Sequence, residues 1–411
     1  MIFIGPTGDH ELSIRCVALL YCITFLNMSE DQNLDNHYSP PLGDGGVGLR
    51  IIIAGGGTGG HIFPAIAIAN AIKQQRPDAD ILFIGAKGKM EMEKVPQAGY
   101  KILGLDIAGF DRSSLIKNIT LPFKLIKSFS QVKKIFDAFK PVAAIGVGGY
   151  STFPVLKYAQ RKGIPTFIHE SNSFAGKSNM MIGKNAKKIF VANEGMEQFF
   201  PKEKIIITGN PVRKSIVEST MSREDALAFF GLAPEKKTIL AVGGSLGARS
   251  INEVMAKHVH ELESLNLQLI WQTGKATAAA YVERGKAYKN VWVNDFIQDM
   301  DKAYAAADVV VARAGAITVA ELCVAKKPAV FVPYPLAAED HQTVNAKYLV
   351  DREAALMVKD SDTQAKLFGT ITMLATDEAL QEKFKTNIAR YSVTNADEVV
   401  AREILETLPQ P

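Results

Sequence analysis

The sequence predicts an α/β protein made of two Rossmann-like, doubly wound parallel-sheet domains that face each other across a cleft. Three observations predict it. The chain has 411 residues, more than one hydrophobic core usually serves, so two domains are expected. From Leu49 onward short β-branched runs alternate with helical patterns, the signature of βαβ units. A strand, a glycine-rich loop and a helix occur in succession in the first half and again in the second.

Taken in order, Arg50-Ile51-Ile52-Ile53-Ala54 is the first strand and 62–74 the helix that it feeds. Residues 80–85 form the next strand, followed by strands at 142–147, 165–169, 188–191 and 205–207. Their continuous apolar runs belong to strands covered on both faces. Gly209-Asn210-Pro211 stops the last of them and sets a boundary, giving domains at 49–211 and 212–390. The second domain restarts with Thr238-Ile239-Leu240-Ala241-Val242 and continues through 267–272, 291–293, 309–312 and 329–332.

Composition narrows the function. A hydrophobic fraction of 47% and a charged fraction of 22% are ordinary for a soluble protein. A net charge of +4 is too mild to imply a nucleic-acid partner. Cys16, Cys22 and Cys323 have the spacing of neither a disulfide framework nor a zinc site, which fits a reducing compartment. Residues 1–48 stand apart: the apolar run 16–26 is too short to span a bilayer and a polar stretch follows it. They are expected to be an extension, disordered or preceding a start at or after Met28.

Gly55-Gly56-Gly57-Thr58-Gly59-Gly60-His61 follows a strand and opens a helix. Glycine there lets the backbone approach a phosphate, and the helix N-terminus offers free N–H groups. Gly55, Gly57 and Gly60 also match the dinucleotide pattern. A dehydrogenase would add an acidic residue after the second strand, and Ile84-Gly85-Ala86-Lys87 has none, which disfavours an NAD(P)-binding oxidoreductase. Gly176-Lys177-Ser178 resembles the end of a P-loop, but Ser171 stands where its first glycine should be, so an NTPase is disfavoured too.

In the second half Gly243-Gly244-Ser245-Leu246-Gly247-Ala248-Arg249 forms another anion cradle. Arg313-Ala314-Gly315-Ala316-Ile317-Thr318-Val319-Ala320-Glu321 sets a basic residue and a small-residue turn before a helix, with Glu321 suited to ribose hydroxyls. Together with Ser245 and Arg213 this reads as a nucleotide-diphosphate pocket. Asp299-Met300-Asp301 looks like an Asp-x-Asp metal motif but is read as the cap of a helix at 302–307, so no metal is expected. Between 112 and 135, Arg112, Lys117, Lys124, Lys127, Lys133 and Lys134 interleave with Leu115, Ile116, Leu121, Phe123, Leu125, Ile126, Phe129 and Ile135. This basic amphipathic stretch suits an anionic membrane surface, the alternative being a surface helix with its apolar side in the core.

Gly-Gly-Thr-Gly-Gly-His at 56–61, Gly-Val-Gly-Gly-Tyr at 146–150, His-Glu-Ser-Asn at 169–172, Gly-Asn-Pro-Val-Arg at 209–213, Gly-Gly-Ser-Leu-Gly-Ala-Arg at 243–249 and the 313–321 segment occur in that order. With them the chain, from Leu49 to its end, closely resembles the MurG family of glycosyltransferases, glycosyltransferase family 28. The resemblance implies a GT-B fold and no cofactor. It implies transfer of N-acetylglucosamine from UDP-N-acetylglucosamine to the muramyl 4-hydroxyl of lipid I, inverting to a β-1,4 link and forming lipid II for peptidoglycan. It also implies a peripheral enzyme on the cytoplasmic face of the inner membrane, partners among cell-wall synthesis proteins, and a C-terminal helix at 391–411 packing back on the first domain.

By motif, Thr58, Gly59 and Gly60 would line the cleft near the donor, Asn172 would reach the sugar, and Arg213 and Ser245 would hold the donor. Ile297 would face the uracil, Ala316, Ile317, Thr318, Val319, Ala320 and Glu321 would wrap phosphate and ribose, and Gln342 would contact the sugar. Ser171 departs from the glutamine common there in the family. Such a transfer needs a base near the acceptor and positive or dipolar groups at the diphosphate. His61 and Glu170 are the base candidates, His61 because an imidazole titrates near neutrality. Alternatives on the same architecture are another UDP-sugar-dependent glycolipid synthase and a UDP-sugar epimerase.

Overall fold

The computed structural model describes residues 48–108, 121–244, 246–275 and 278–408. The expectations for residues 1–47, for Ser245 and for the 112–120 part of the basic stretch lie outside the described residues.

Strands β1 (Arg50–Ala54), β2 (Asp80–Ala86), β3 (Lys101–Leu105), β4 (Ala143–Gly146), β5 (Thr166–Glu170), β6 (Lys188–Val191) and β7 (Ile205–Ile207) form a 7-stranded sheet in the order β3-β2-β1-β4-β5-β6-β7. Strands β8 (Lys237–Val242), β9 (Leu267–Gln272), β10 (Val291–Asn294), β11 (Val309–Ala312), β12 (Ala329–Phe331) and β13 (Leu356–Met357) form a 6-stranded sheet ordered β10-β9-β8-β11-β12-β13. Described pairings such as β1 with β2 and β8 with β11 are parallel. Strand order reverses between β1 and β4 and between β8 and β11, and such switch points open a crevice at the strands' carboxyl ends. Each glycine-rich loop leaves a strand at that point, the first after β1 and the second after β8.

The β-branched runs explain these sheets. Ile51, Ile52 and Ile53 are each 0% exposed. With the two-residue period of a strand, Ile51 and Ile53 enter the core on one face of the sheet and Ile52 and Ala54 the core on the other. Burying each such side chain stabilises the fold by roughly 1.5–3 kcal/mol. β3 and β13 are strands that the sequence pattern did not announce: β3 is an edge strand interrupted by Gly104, and β13 spans only Leu356 and Met357.

Ile206 packs on the first-sheet core and Val212 on the second-sheet core, and the chain returns between Ile388 and Val400. Its last helix, Ala396–Thr407, returns to the first domain. Val400, Ala401 and Ile404 join the cluster that holds Ile68 and Ile72 of helix Gly59–Gln75. Lys188 Nζ meets Glu403 at 2.7 Å and ties the same helix to β6.

Helix Leu121–Phe139 carries the described part of the basic stretch. Val132, Phe136 and Phe139 are buried in the first-domain core, and Phe129 meets Phe153 edge-on at 6.5 Å between ring centres. The core therefore absorbs most of the helix's apolar side. Phe123, 73% exposed, is the large apolar side chain left outside near its start. Lys127 and Lys87 both pair with Asp106, whose carboxyl is held down to about 2 by those bonds.

Candidate active site

Helix Gly59–Gln75 begins at Thr58, which is extended and gives no side-chain cap. Thr58 is exposed and Gly59 and Gly60 are partly so, which leaves the start of the helix facing the crevice. The loop before it is fixed from three sides. Gly56 N–H donates to the Gly148 carbonyl at 3.2 Å. Gly57 N–H donates to Glu91 Oε2 at 2.8 Å. His61 Nδ1 lies 3.0 Å from the Gly56 carbonyl, which assigns its proton to Nδ1 and leaves Nε2 an acceptor. Gly148 and Gly149 have φ of +96° and +94°, and a Cβ on Gly148 would stand 2.7 Å from His61 Nε2. Glycine at 148 is thus required by both backbone and imidazole.

Burial holds the His61 imidazole below its ordinary 6.5. The Gly56 carbonyl, Glu170 and Glu91 oppose the shift, while the charge of His341 adds to it. His341 opens helix His341–Val350 of the second domain, so charge from across the crevice acts on this imidazole.

Glu170 ends β5 with both carboxylate oxygens engaged. Oε1 accepts from Asn172 N at 3.1 Å and Asn172 Nδ2 at 3.3 Å. Oε2 accepts from Gly176 N at 3.1 Å and Asn179 Nδ2 at 2.8 Å. The residue organises the 171–179 loop and fixes Asn172. Ser173 N donates to Asn345 Oδ1 at 3.2 Å and Asn210 Nδ2 to the Ser171 carbonyl at 3.0 Å, which locks this loop to the second domain and the linker.

Across the crevice, Arg213 Nε and Nη2 both stand 2.8 Å from Glu321 Oε1. Tyr304 donates its hydroxyl to Glu321 Oε2 at 3.0 Å, and burial together with the Glu321 charge pushes that phenol well above 10.0, so it remains a donor. Arg213 also lies 5.1 Å over the ring of Phe63, a first-domain residue. Helix Ala316–Ala325 splits the 316–321 residues between two surroundings. Ile317 and Glu321 are buried. Ala316, Val319 and Ala320 line a cavity of about 590 Å³ beside the linkers, with Ser171, Asn193 and Tyr348. Thr318 is partly buried.

Ile297 is 2% exposed and packs in the core, and its N–H donates to Gln272 Oε1 at 3.1 Å. Gln272 Nε2 in turn donates to the Gly244 carbonyl at 2.9 Å, joining the 295–297 segment to the second glycine loop. Gln342 Oε1 accepts from Tyr334 N at 2.9 Å and steadies the 334–340 loop.

Two sequence-based expectations are corrected. Arg313 does not present its charge to an anion: the guanidinium donates to the Val332 and Pro333 carbonyls at 3.0 and 3.2 Å and pairs with Asp360. Asp299 precedes helix Met300–Ala306 but makes no cap hydrogen bond, and its carboxylate sits 3.4 Å from Lys302 Nζ instead. Among the described residues no group of three or more His, Cys, Asp or Glu side chains is placed to hold a metal ion.

Sequence reasoning also missed residues. Glu91, in the next helix, is 1% exposed and has its oxygens taken by Gly57 N–H and by Ala86 N–H at 3.0 Å, so it braces the glycine loop from beneath rather than facing a ligand. Tyr304 and Gln272 went unread because each lies away in sequence from the motif that it supports, and His341 because it lies far in sequence from the imidazole on which its charge acts.

Family models account for both halves. The N-terminal domain of glycosyltransferase family 28 matches residues 51–191, and the C-terminal domain of the same family matches 238–400. The chain belongs to glycosyltransferase family 28. It is 51% identical over 361 residues to the UDP-N-acetylglucosamine–N-acetylmuramyl-(pentapeptide) pyrophosphoryl-undecaprenol N-acetylglucosamine transferase of Phocaeicola vulgatus, covering 87% of this chain and 96% of that protein. The protein of the same name from Cytophaga hutchinsonii is 47% identical over 361 residues, covering 87% and 97%. Among solved structures, MurG of Acinetobacter baumannii superposes with a TM-score of 0.68 at 30% identity, over 87% of this chain and 99% of that one. A UDP-N-acetylglucosamine 2-epimerase superposes at 0.59 with 15% identity, over 87% and 96%, a likeness of fold alone. The family match confirms the expected GT-B architecture of two parallel-sheet domains.

Proposed function

We propose that this chain transfers N-acetylglucosamine from UDP-N-acetylglucosamine to the 4-hydroxyl of the muramyl residue of lipid I, inverting to a β-1,4 link and forming lipid II for peptidoglycan synthesis. The observation that carries this is the 51% identity, over nearly the full length, with a transferase whose name states that donor and that acceptor.

In this reading the domain at 49–211 takes the lipid acceptor, the domain at 212–390 the nucleotide donor, and the helix within 391–411 braces the first domain. The acceptor oxygen attacks the anomeric carbon as its proton passes to Nε2 of His61. The bond from that carbon to the β-phosphate oxygen breaks, and UDP leaves with the electron pair. The helix start at Ala316 and the Arg213 guanidinium meet the charge that develops on UDP. Ser245 and Ile317, Thr318, Val319, Ala320 and Glu321 complete the nucleotide side, with Ile297 at the base. Asn172 and Gln342 hold the sugar, and Thr58, Gly59 and Gly60 line the reacting centre. His61 suits the base role better than Glu170, because its Nε2 carries a lone pair while both Glu170 oxygens are committed to the 171–179 loop. No cofactor enters.

The lipid acceptor calls for a membrane surface. Among the described residues no helix is long and apolar enough to cross a membrane, so contact is peripheral in this reading. It runs through the 112–135 stretch, in whose described part Phe123 is exposed, against anionic lipid at the cytoplasmic face of the inner membrane, where other cell-wall synthesis proteins would be met. Incubation of a sugar-labelled donor with a lipid I analogue tests the function. A β-1,4-linked labelled disaccharide on the lipid is expected, and an α-linked product or label left on the nucleotide would overturn it.

A further inference from the structure

One peptide group lies between a buried carboxylate and the imidazole of the candidate base. The Gly56–Gly57 peptide donates its N–H to Glu91 Oε2 at 2.8 Å, and its carbonyl, on the opposite edge, lies 3.0 Å from His61 Nδ1. Glu91 is fixed in turn by the Ala86 N–H on its other oxygen and is 1% exposed. The glycines leave room for it: a Cβ on Gly56 would stand 2.3 Å from Glu91 Cδ, and one on Gly85 2.5 Å from Glu91 Cγ.

We propose that Glu91 is a positioning residue that acts on His61 through the Gly56–Gly57 peptide, holding the imidazole in the Nδ1–H tautomer with Nε2 ready to accept a proton. This rests on the reading of His61 as base. Hydrogen bonds in series polarise one another, so a carboxylate on the peptide N–H makes the peptide carbonyl a stronger acceptor for Nδ1–H. When Nε2 takes up the acceptor's proton, the imidazolium then faces a carbonyl already polarised towards it. A carboxylate joined to an imidazole by one peptide performs the orienting task that a direct carboxylate–histidine pair performs elsewhere. Three other titratable groups act on this imidazole: Glu170, His341 and His169. The bonds of Glu170 go to the 171–179 loop and those of His169 to Gly209 and Ser171, whereas Glu91 bonds the peptide itself.

The test uses the full chain with nitrogen-labelled histidine, following the ring-nitrogen shifts of His61 against pH alongside kcat, donor KM and thermal melting. In the unsubstituted chain the Nδ1–H tautomer is expected, and the Nε2–H tautomer would overturn the proposal without any variant. In folded Glu91→Gln the imidazole pKa is expected to fall by about 0.5–1 unit and kcat by roughly tenfold, with donor KM within about twofold. Glu91→Asp should recover part of both. An unshifted His61 titration in folded Glu91→Gln would overturn the coupling. His61→Gln with undiminished kcat would instead remove the base role and leave the Glu91 coupling to be judged on the titration alone.

Discussion

Arg213 and Glu321 are joined by Nε and Nη2 of the arginine on a single carboxylate oxygen, both at 2.8 Å, while the Tyr304 hydroxyl occupies the other. The side chain of Glu321 is only 5% exposed, so the pair stands at the foot of the crevice rather than on open surface. Any ribose hydroxyl bound by Glu321 must use the lone pairs that these donors leave.

Glu321→Gln is therefore expected to act twice. Arg213 loses its charged partner in a largely buried setting, a loss of about 2–3 kcal/mol in urea unfolding. Donor KM should rise about tenfold. A stability loss with an unchanged donor KM would remove Glu321 from the donor site and leave it a structural partner of Arg213.

Gly149→Ala tests the loop that carries His61. A Cβ there would stand 2.4 Å from the Gly56 carbonyl oxygen and 2.9 Å from Gly56 N, and φ is +94°. Backbone cannot swing aside as a side-chain end can, so the Gly56 carbonyl must leave His61. We expect kcat to fall by about a hundredfold, with a stability loss of about 1–3 kcal/mol. Gly163→Ala is the comparison: φ is +71° with nothing within 4 Å of the added Cβ, so it should cost stability without touching kcat. Equal effects on kcat would contradict the loop's role.

Stability should weaken in mild acid. His169 is 0% exposed, and burial pushes its imidazole down to about 4, with smaller opposing help from the Gly209 carbonyl. The unfolded chain thus binds the proton first. The contribution is complete above pH 6.5, declines as pH falls from about 6.5 to about 4, and amounts to on the order of 3 kcal/mol. His61, also lowered, acts in the same direction. Urea midpoints measured from pH 8 to pH 4.5 check this, and a midpoint independent of pH would contradict it.

Ile404→Ala probes the returning helix. Ile404 is 0% exposed in the first-domain cluster although it follows the whole second domain in sequence. Truncation should cost about 2–5 kcal/mol. Hydrogen exchange should show the loss in helix Gly59–Gln75 and β1 rather than in β8 or β11.

What the sequence disclosed, and what it did not, follows from locality. β1 and β8 were legible because central parallel strands are apolar on both faces, and the loops after them because glycine marks the turn into a helix. β3 escaped because Lys101-Ile102-Leu103-Gly104-Leu105 is short, lies at an edge and contains a glycine. Within the site, His61 and Arg213 stood out through their motifs. Glu91 did not, since a glutamate in the first turn of a helix is ordinary and only the folded chain brings it beneath Gly56. Arg313 misled for the reverse reason: its place after a strand resembled an anion site, yet a long side chain can turn either way, and this one turned to the Val332 and Pro333 carbonyls.

Transfer is read most directly from the fate of the labelled sugar of UDP-N-acetylglucosamine with and without a lipid I analogue, as label entering the lipid and as UDP released. We expect both to appear together, in equal amounts and only when the acceptor is present, with a sharp loss in His61→Gln. Conversion of the donor to a 2-epimer without acceptor, or UDP release with no label in the lipid, would contradict the account.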